Sequence, residues 1–593
     1  MAGTSAAEVD RGLRRTDVEQ LPAGKHEQHG PGHFAGLYSA ENIAGTEFVF
    51  GATFVILGAS FVDVLVGLAV GNLLAVLTFR FVTAPIAVRT RMSVYTYLSR
   101  VAGGPTSKIY NGVNALIFAI ISAAMITVSA TAFRLVLDFP AQEEAYPTSI
   151  GFVVLALVFG SVAVLVAAFG FTALAEFAST CGPWLVVMFF TGGLALLPLV
   201  SDTVTGSTVV DGWSGFLALG QSEIFTGETP DGTAGITLLG IIGYSWAANS
   251  FAHAGLVDMS LLRYARKSWY GYMSAFGMFL GHYMAWIAAG VMGAAAAAIV
   301  QTSITVIEPG QVAFEALGYA GLAVVVIGGW TTANANLYRA GLAGQGAFPR
   351  VARKPMTLYI GIVVLVASVF PFVYRGYLDL VTFAGIAIVP IGGVLFAEHW
   401  LLPRLGMTTS WARYRGVTNV PSLVAWFGTV ALAAAAVATG LMPVYIAFVP
   451  AFLVSMGLYL LLARRMGAAE RYPEGEAADA LWHERVDALH AEQAAATPDV
   501  DTTDRRPLTR ALRVLWIATL VAITVMALVV LLGSPDLATY EDNRSAFWTV
   551  SAVGTVVYFV AAYAELRLRK AHRQRVLAEH GAPADAAEGA APA

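Results

Sequence analysis

Tyr38-Ser39-Ala40-Glu41-Asn42-Ile43-Ala44-Gly45-Thr46-Glu47 opens the first long apolar run of this chain. It places two carboxylates, an amide and a glycine where sequence suited to hydrocarbon begins. An ionisable group at that depth is costly, so its presence in an apolar run points to a role beyond packing. Outward from this stretch, apolar runs of about 20 residues recur along the chain, the length that crosses a bilayer core of about 30 Å. Of 593 residues, 57% are apolar and 12% are charged, about half the charged fraction of a soluble domain. The runs are too long and too uniform for barrel strands, and helices satisfy their own backbone in lipid, so the fold class is an all-α membrane protein. Cys181 is the single cysteine, which excludes an internal disulfide and a cysteine-based metal cluster.

Helices are expected near 43–61, 63–84, 110–136, 148–170, 176–200, 234–257, 270–300, 317–343, 357–374, 378–401, 422–440, 443–463, 511–533 and 546–566. The basic residues fall on alternate loops. Arg89, Arg91, Arg100 and Lys108 form one group, followed by Arg263, Arg266 and Lys267, then Arg350, Arg353 and Lys354, then Arg404, Arg413 and Arg415. The loops between them are acidic, with Asp202, Asp211, Glu223, Glu228 and Asp231 in 201–233 and no Lys or Arg there. This bias sets both termini in the cytosol of a multi-pass inner or plasma membrane protein. The expected organisation is a cytosolic tail at 1–40, a core at 41–405, two spans in 406–465, a cytosolic linker at 466–510, two additional spans in 511–566 and a tail at 567–593.

Two further stretches resemble the opening one. Gly240-Ile241-Ile242-Gly243-Tyr244-Ser245-Trp246-Ala247-Ala248-Asn249-Ser250-Phe251-Ala252-His253, in the sixth span, offers a place to unwind and an aromatic face for a flat ring. Gly328-Gly329-Trp330-Thr331-Thr332-Ala333-Asn334-Ala335-Asn336-Leu337-Tyr338, in the eighth, sets hydroxyls and amides together without charge, a donor set that suits a hard monovalent cation and a neutral polar guest. All three look like interrupted helices, whose freed amides and carbonyls serve as ligands near the midplane of transporters. Simpler readings compete: Glu41 capping a helix at the interface, Trp246 facing lipid, and Thr and Asn bonding between helices. Spans 1 and 6 hold equivalent places in consecutive groups of five, the spacing of an inverted five-plus-five repeat.

At these residues the chain resembles the nucleobase and cation symporters of the purine and cytosine permease group, within the amino acid, polyamine and organocation superfamily. Asn42, Gly51 and Gly71-Asn72 resemble that family's opening pattern. Trp246 with Asp258 and Arg263-Tyr264 resembles its sixth span, and Trp330-Thr331-Thr332 with Asn334, Asn336 and Tyr338 its eighth. Ile388-Val389-Pro390-Ile391-Gly392-Gly393-Val394 through Ala397-Glu398-His399 resembles its tenth. The likeness covers about residues 33–405. It implies a leucine-transporter-type bundle of about twelve helices, with two extra at the C-terminus, working by alternating access. Trp246 would then stack on the substrate ring and Asn334 or Asn336 would bond its edge. Thr331 and Thr332 would offer hydroxyls to sodium, with carbonyls near Gly328 and between Ser39 and Gly45 completing the shell. Two departures stand out. Phe118, Asn114 and Ser122 occupy the third span where the family often has a Trp and an amide, and Leu261-Leu262 alters the spacing before Arg263.

The expected function is import of a nucleobase or related N-heterocycle of the cytosine, purine, allantoin or hydantoin class, driven by sodium or protons, with a vitamin-like heterocycle as an alternative. Glu41, Asn42, Glu47, Phe118, Trp246, Asn249, Asn334 and Asn336 are the candidate substrate residues, and Gly328, Thr331 and Thr332 the candidate sodium ligands. Beyond the coupling ion no cofactor is expected, and neither nucleic acid nor a second copy is required. An enzyme would need a nucleophile with its base, or metal ligands at helical spacing, and the sequence offers neither; His253, His282 and His399 lie on different segments and read as packing residues. A sensor signalling through 466–510 is the remaining alternative.

Overall fold

The computed structural model describes residues 6–142, 144–169, 171–495 and 500–581. Among these described residues, ten helices are long and apolar enough to cross a membrane: Phe61–Thr90, Gly104–Arg134, Ile150–Ala168, Glu176–Thr205, Ser268–Ile299, Tyr377–Arg404, Val420–Ala438, Phe448–Ala468, Pro507–Leu532 and Leu537–Glu579. The other four expected spans fall on shorter or more polar helices. The eighth is Tyr319–Ala347 and the ninth Arg353–Ser368, while the first and sixth are interrupted.

The first span consists of Pro31–Glu41 and Glu47–Ile56. Asn42 ends its first half, where its backbone amide and its side chain both donate to the Tyr38 carbonyl, at 3.1 and 3.0 Å. The seventh span makes room for the break. A Cβ on Gly281 would run into the Asn42 carbonyl, so only glycine lets the helix lie against the exposed backbone. Residues 31–40, assigned to the tail from sequence, form this first half-helix, with Phe34, Leu37, Tyr38 and Ala40 buried.

The sixth span consists of Leu238–Ala247, Ser250–His253 and Met259–Leu262. Its backbone turns at Leu256, which adopts a left-handed φ of 64°, a conformation a branched residue holds only when its surroundings demand it. Gly392 of the tenth span packs on this turn, where a Cβ would collide with the Ala254 carbonyl. The eighth span departs from expectation, because Tyr319–Ala347 is one unbroken helix. Two of its polar residues bond within the helix: Thr331 donates to the Gly328 carbonyl at 2.9 Å and Asn336 to the Thr332 carbonyl at 2.9 Å. Bonds of this kind give the side chains partners within an intact helix.

Equivalent helices of the two groups of five pack on each other, the third on the eighth, the fourth on the ninth and the second on the seventh. The first span packs on the seventh, and the sixth packs correspondingly on the second. This reciprocal packing is that of an inverted repeat, and the chain is an all-α, multi-pass membrane protein with a leucine-transporter-type bundle. Thr208 donates to the Ser534 carbonyl, and Tyr558 to the Thr180 carbonyl at 2.7 Å, docking the last two spans against the fifth.

A polar layer covers the end of the bundle that carries the N-terminal segment. Helix Pro473–Ala495 packs on that segment, with Val486 between Leu13 and Leu21 and Arg485 paired to Asp10. The same helix grips the bundle through Asp479, which pairs with Arg100 and Arg413 and accepts from Tyr414 at 2.9 Å, and through Asp487, 2.7 Å from Arg91. Burial raises the Asp479 carboxyl, but the two guanidiniums outweigh it and hold the group below the usual carboxylate range.

Candidate functional site

The two interruptions meet at one cavity. Asn249, at the break in the sixth span, donates to the Asn42 side-chain carbonyl at 2.9 Å. Glu41, Asn42, Thr46, Glu47 and Phe50 line the cavity from the first span, Ala248, Asn249 and Phe251 from the sixth, and Thr332 and Asn336 from the eighth. Ile121, Met125, His282, Tyr377 and Val381 complete it. Its volume is about 30 Å³, room for roughly one or two water molecules. The bundle is therefore closed around the site in this conformation, and a flat ring enters only when helices part.

Thr332 donates to the backbone carbonyl of Glu41 at 2.6 Å. A hydroxyl from an intact helix thus meets a carbonyl released by a broken one. Thr331 is turned to its own helix, bonded to Gly328, and neither lines the cavity. Among the expected sodium ligands, Thr332 bonds to the break and Gly328 packs on its backbone, where a Cβ would come within 3.0 Å of the Gly45 amide nitrogen; Thr331 does neither.

The charged groups form layers. The Arg339 guanidinium lies between Glu41 and Asp258, at 2.5 and 2.6 Å. One turn of the eighth span before it, Asn336 still faces the cavity, so this triad floors the site toward the N-terminal segment. Beyond it, Glu19 of that segment pairs with Arg263 and accepts from Tyr264 and Tyr338, each at 3.1 Å. At the opposite end Phe50 meets Tyr377 edge-on with centroids 5.4 Å apart. Glu47, 3% exposed, accepts from the Trp286 indole and from the Ala44 amide. His282 stacks on Trp286 at 4.4 Å, and its Nδ1 is buried without a hydrogen-bond partner.

Of the expected substrate residues, Glu41, Asn42, Glu47, Asn249 and Asn336 are brought together. Trp246, Phe118 and Asn334 are not. The Trp246 indole donates to Thr78 at 3.2 Å and packs edge-on against Phe448, which turns it toward the second and twelfth spans. Phe118 stands behind the wall, edge-on to Phe251 at 5.7 Å, and leaves Phe251 as the ring at the cavity surface. Asn334 is buried off the cavity, two residues from Asn336 and so on another face of the helix. His282, Phe50, Phe251 and Tyr377 were not singled out as site residues. The available signal was the four-residue spacing of His282 and Trp286, which puts both on one helix face opposite a buried carboxylate.

The same architecture is found in solved transporters. Mhp1, described as a nucleobase-cation-symport-1 family transporter in a closed conformation with bromovinylhydantoin bound, matches with a TM-score of 0.59 at 16% identity, over 80% of this chain and 99% of that one. The inward-facing conformation of Mhp1 gives 0.56 at 17% identity, over 77% and 96%. This chain has the fold of Mhp1. A substrate-bound, outward-open Na+-coupled sialic acid symporter also matches, at 0.51 and 14% identity, over 78% of this chain and 98% of that one. No protein-family model matches the chain, and no curated protein matches it in sequence. In the Mhp1-type bundle seen here, the cavity lies where the first and sixth spans break and the third, eighth and tenth close around them.

Proposed function

We propose that this chain is a secondary active symporter that imports a planar nitrogen heterocycle of the nucleobase or hydantoin type together with sodium. One observation carries the reading: polar groups of two interrupted helices, joined by the Asn42–Asn249 bond, converge with Thr332 on a single buried cavity. Asn42, Asn249 and Asn336 supply donors and acceptors for a ring edge, and Phe251 and Phe50 supply apolar faces. Sodium would sit between the Thr332 hydroxyl and the carbonyls of the break at 41–45, tightening the first span and so raising affinity for the ring. Hydantoin binding by Mhp1 and sodium coupling in the sialic acid symporter accord with this assignment.

Alternating access follows from the layers around the cavity. Opening toward the N-terminal segment requires the Glu41–Arg339–Asp258 triad and the Glu19–Arg263 pair to separate. Opening on the other side requires Phe50 and Tyr377 to part. The sorting of Lys and Arg supports a plasma or inner membrane orientation with both termini cytosolic. We take residues 41–405 as the carrier core and 466–510 as a linker to two accessory spans. Catalysis has no part in this reading.

The test is uptake of radiolabelled hydantoin, allantoin, cytosine and hypoxanthine into proteoliposomes under an inward sodium gradient. Accumulation of at least one, abolished when the gradient is removed, supports the assignment; no accumulation of any of them opposes it. Proton coupling is the second reading, favoured by the buried Glu47 carboxylate. Uptake that ignores sodium, follows a pH gradient and is lost in Glu47→Gln would establish it.

A further inference from the structure

A second cavity lies between the bundle and the polar layer that covers it. Its volume is about 310 Å³, against about 30 Å³ at the breaks, and it falls within the range of small-molecule pockets, about 300–1,000 Å³. Thr16 and Gln20 line it from the N-terminal segment, Tyr95 from helix Val94–Ala102, Gln345 from the eighth span and Trp482 from helix Pro473–Ala495. Three of its groups are buried without a hydrogen-bond partner among the described residues: the amide nitrogens of Gln20 and Gln345 and the Tyr95 hydroxyl. Tyr95 and Gln345 are each 1% exposed. Orphaned polar atoms at such depth are costly, and a lining that carries three of them calls for a guest that bonds them. The charged residues of the lining are already matched, Glu19 with Arg263 and Arg100 with Asp479, and the Arg100 guanidinium carbon lies 3.6 Å from the Trp482 ring centre. An uncharged guest fits such a lining. Two amide donors select carbonyl oxygens, and the phenol oxygen accepts from an N–H.

We propose that this cavity is a second ligand site, for a neutral ring that carries carbonyl and N–H groups side by side, as a cyclic amide or ureide does, and that its occupant clamps the N-terminal segment shut over the bundle. The clamp follows from what the segment touches. Glu19, which lines the cavity, also pairs with Arg263 and accepts from Tyr264 and Tyr338 in the layer that must separate when the bundle opens on this side. A guest bonded to Gln20 on the segment and to Gln345 on the eighth span ties the two together and opposes that separation. The ring is of the class proposed as cargo, so a pool of it building up on this side would slow its own entry. The ligand site is argued from the groups of this cavity alone; the inhibition rests on the symporter reading.

The experiment counts radiolabelled hydantoin and allantoin, both neutral ureides, bound to the purified full-length protein by equilibrium dialysis with and without sodium. The expected result, for at least one probe, is a site that fills without sodium, is indifferent to Thr332→Ala, and weakens at least tenfold in Gln345→Met and in Gln20→Met. Neither glutamine lines the cavity at the breaks, and Gln20 lies outside the spans, so a folding defect in Gln345→Met does not decide the result. In sodium-free buffer, trypsin cleavage at Arg14 and Arg15, exposed beside Thr16, should slow about tenfold at a probe concentration ten times its dissociation constant. The same probe, sealed inside vesicles whose N-terminal segments face the lumen, should at least halve the initial rate of uptake in the natural sequence but not in Gln20→Met. No sodium-independent binding of either ureide, binding that both substitutions leave unchanged, or bound probe that fails to protect the segment or to slow uptake overturns the proposal. Binding and protection in a protein that transports no heterocycle would keep the site and its clamp while removing the symporter reading.

Discussion

Thr332 and Glu41 are joined across the interrupted first span by a hydrogen bond of 2.6 Å from hydroxyl to backbone carbonyl. Both oxygens are hard donors to a monovalent cation, and an ion inserted between them would tie the eighth span to the first. Thr332→Ala removes one ligand and leaves the carbonyl, so the sodium concentration for half-maximal uptake should rise at least tenfold. Thr332→Ser, which keeps the hydroxyl, should change it far less. A sodium titration of uptake in both variants checks this, with Thr331→Ala as the comparison, since Thr331 bonds its own helix.

Arg339 is 1% exposed and pairs with two carboxylates, the buried Asp258 and the partly exposed Glu41. Breaking such a group by removing one partner costs about 3–5 kcal/mol, because uncompensated charge stays buried. Arg339→Met should therefore lower thermal stability in detergent sharply. Combining it with Glu41→Gln and Asp258→Asn should restore most of the loss, although the floor of the cavity would then lack its ionic latch. Failure of the triple variant to recover stability would mean that Arg339 acts through its other packing contacts.

The polar layer has a built-in acid sensitivity. His490, on helix Pro473–Ala495, is buried beside His26 and Arg91, and burial above all, with Arg91 adding to it, holds its pKa at about 4. The folded layer thus favours the neutral ring. Its stabilising contribution is fully present above the ordinary histidine pKa of about 6.5 and is lost as pH falls toward 4. Protease cleavage within 473–495 should accelerate over that window, and His490→Gln should flatten the response.

The last two spans are fastened to each other by Glu565, which accepts from Arg513 and from the Trp516 indole at 2.6 Å, and to the fifth span by the Trp184–Thr555 and Tyr558–Thr180 bonds. None of these residues reaches the cavity. Removing 507–593 should leave sodium-driven uptake within a few fold of the full chain while lowering its melting temperature. Tyr558→Phe alone should cost about 1 kcal/mol.

The sequence displayed the bundle clearly because membrane helices declare themselves locally. Length, apolarity and the sorting of Lys and Arg need no tertiary information, and the weak helix signals at Asn42 and Asn249 mark real interruptions. What it concealed depends on helix rotation and on contacts far apart in the chain. Trp246 reads as a ring platform until Thr78 and Phe448, 168 and 202 residues away by number, turn it outward. The polar run at Gly328–Tyr338 suggests a break, yet side chains that bond their own helix keep it whole. His282 reads as packing because its meaning comes from Trp286 and Glu47, which meet only after the first and seventh spans cross. Glu19 lies in a tail that composition marks as solvated, and only the folded structure places it against Arg263.

Coupled binding tests the central claim most directly, because a single site built from the two breaks and Thr332 must link its two guests. The affinity of the purified protein for its heterocycle is measured across sodium concentrations, and its affinity for sodium across heterocycle concentrations. The account predicts that each guest tightens the other by the same factor, as linkage requires, and that Thr332→Ala reduces both factors together. Independent binding, with each affinity indifferent to the other guest, would contradict it.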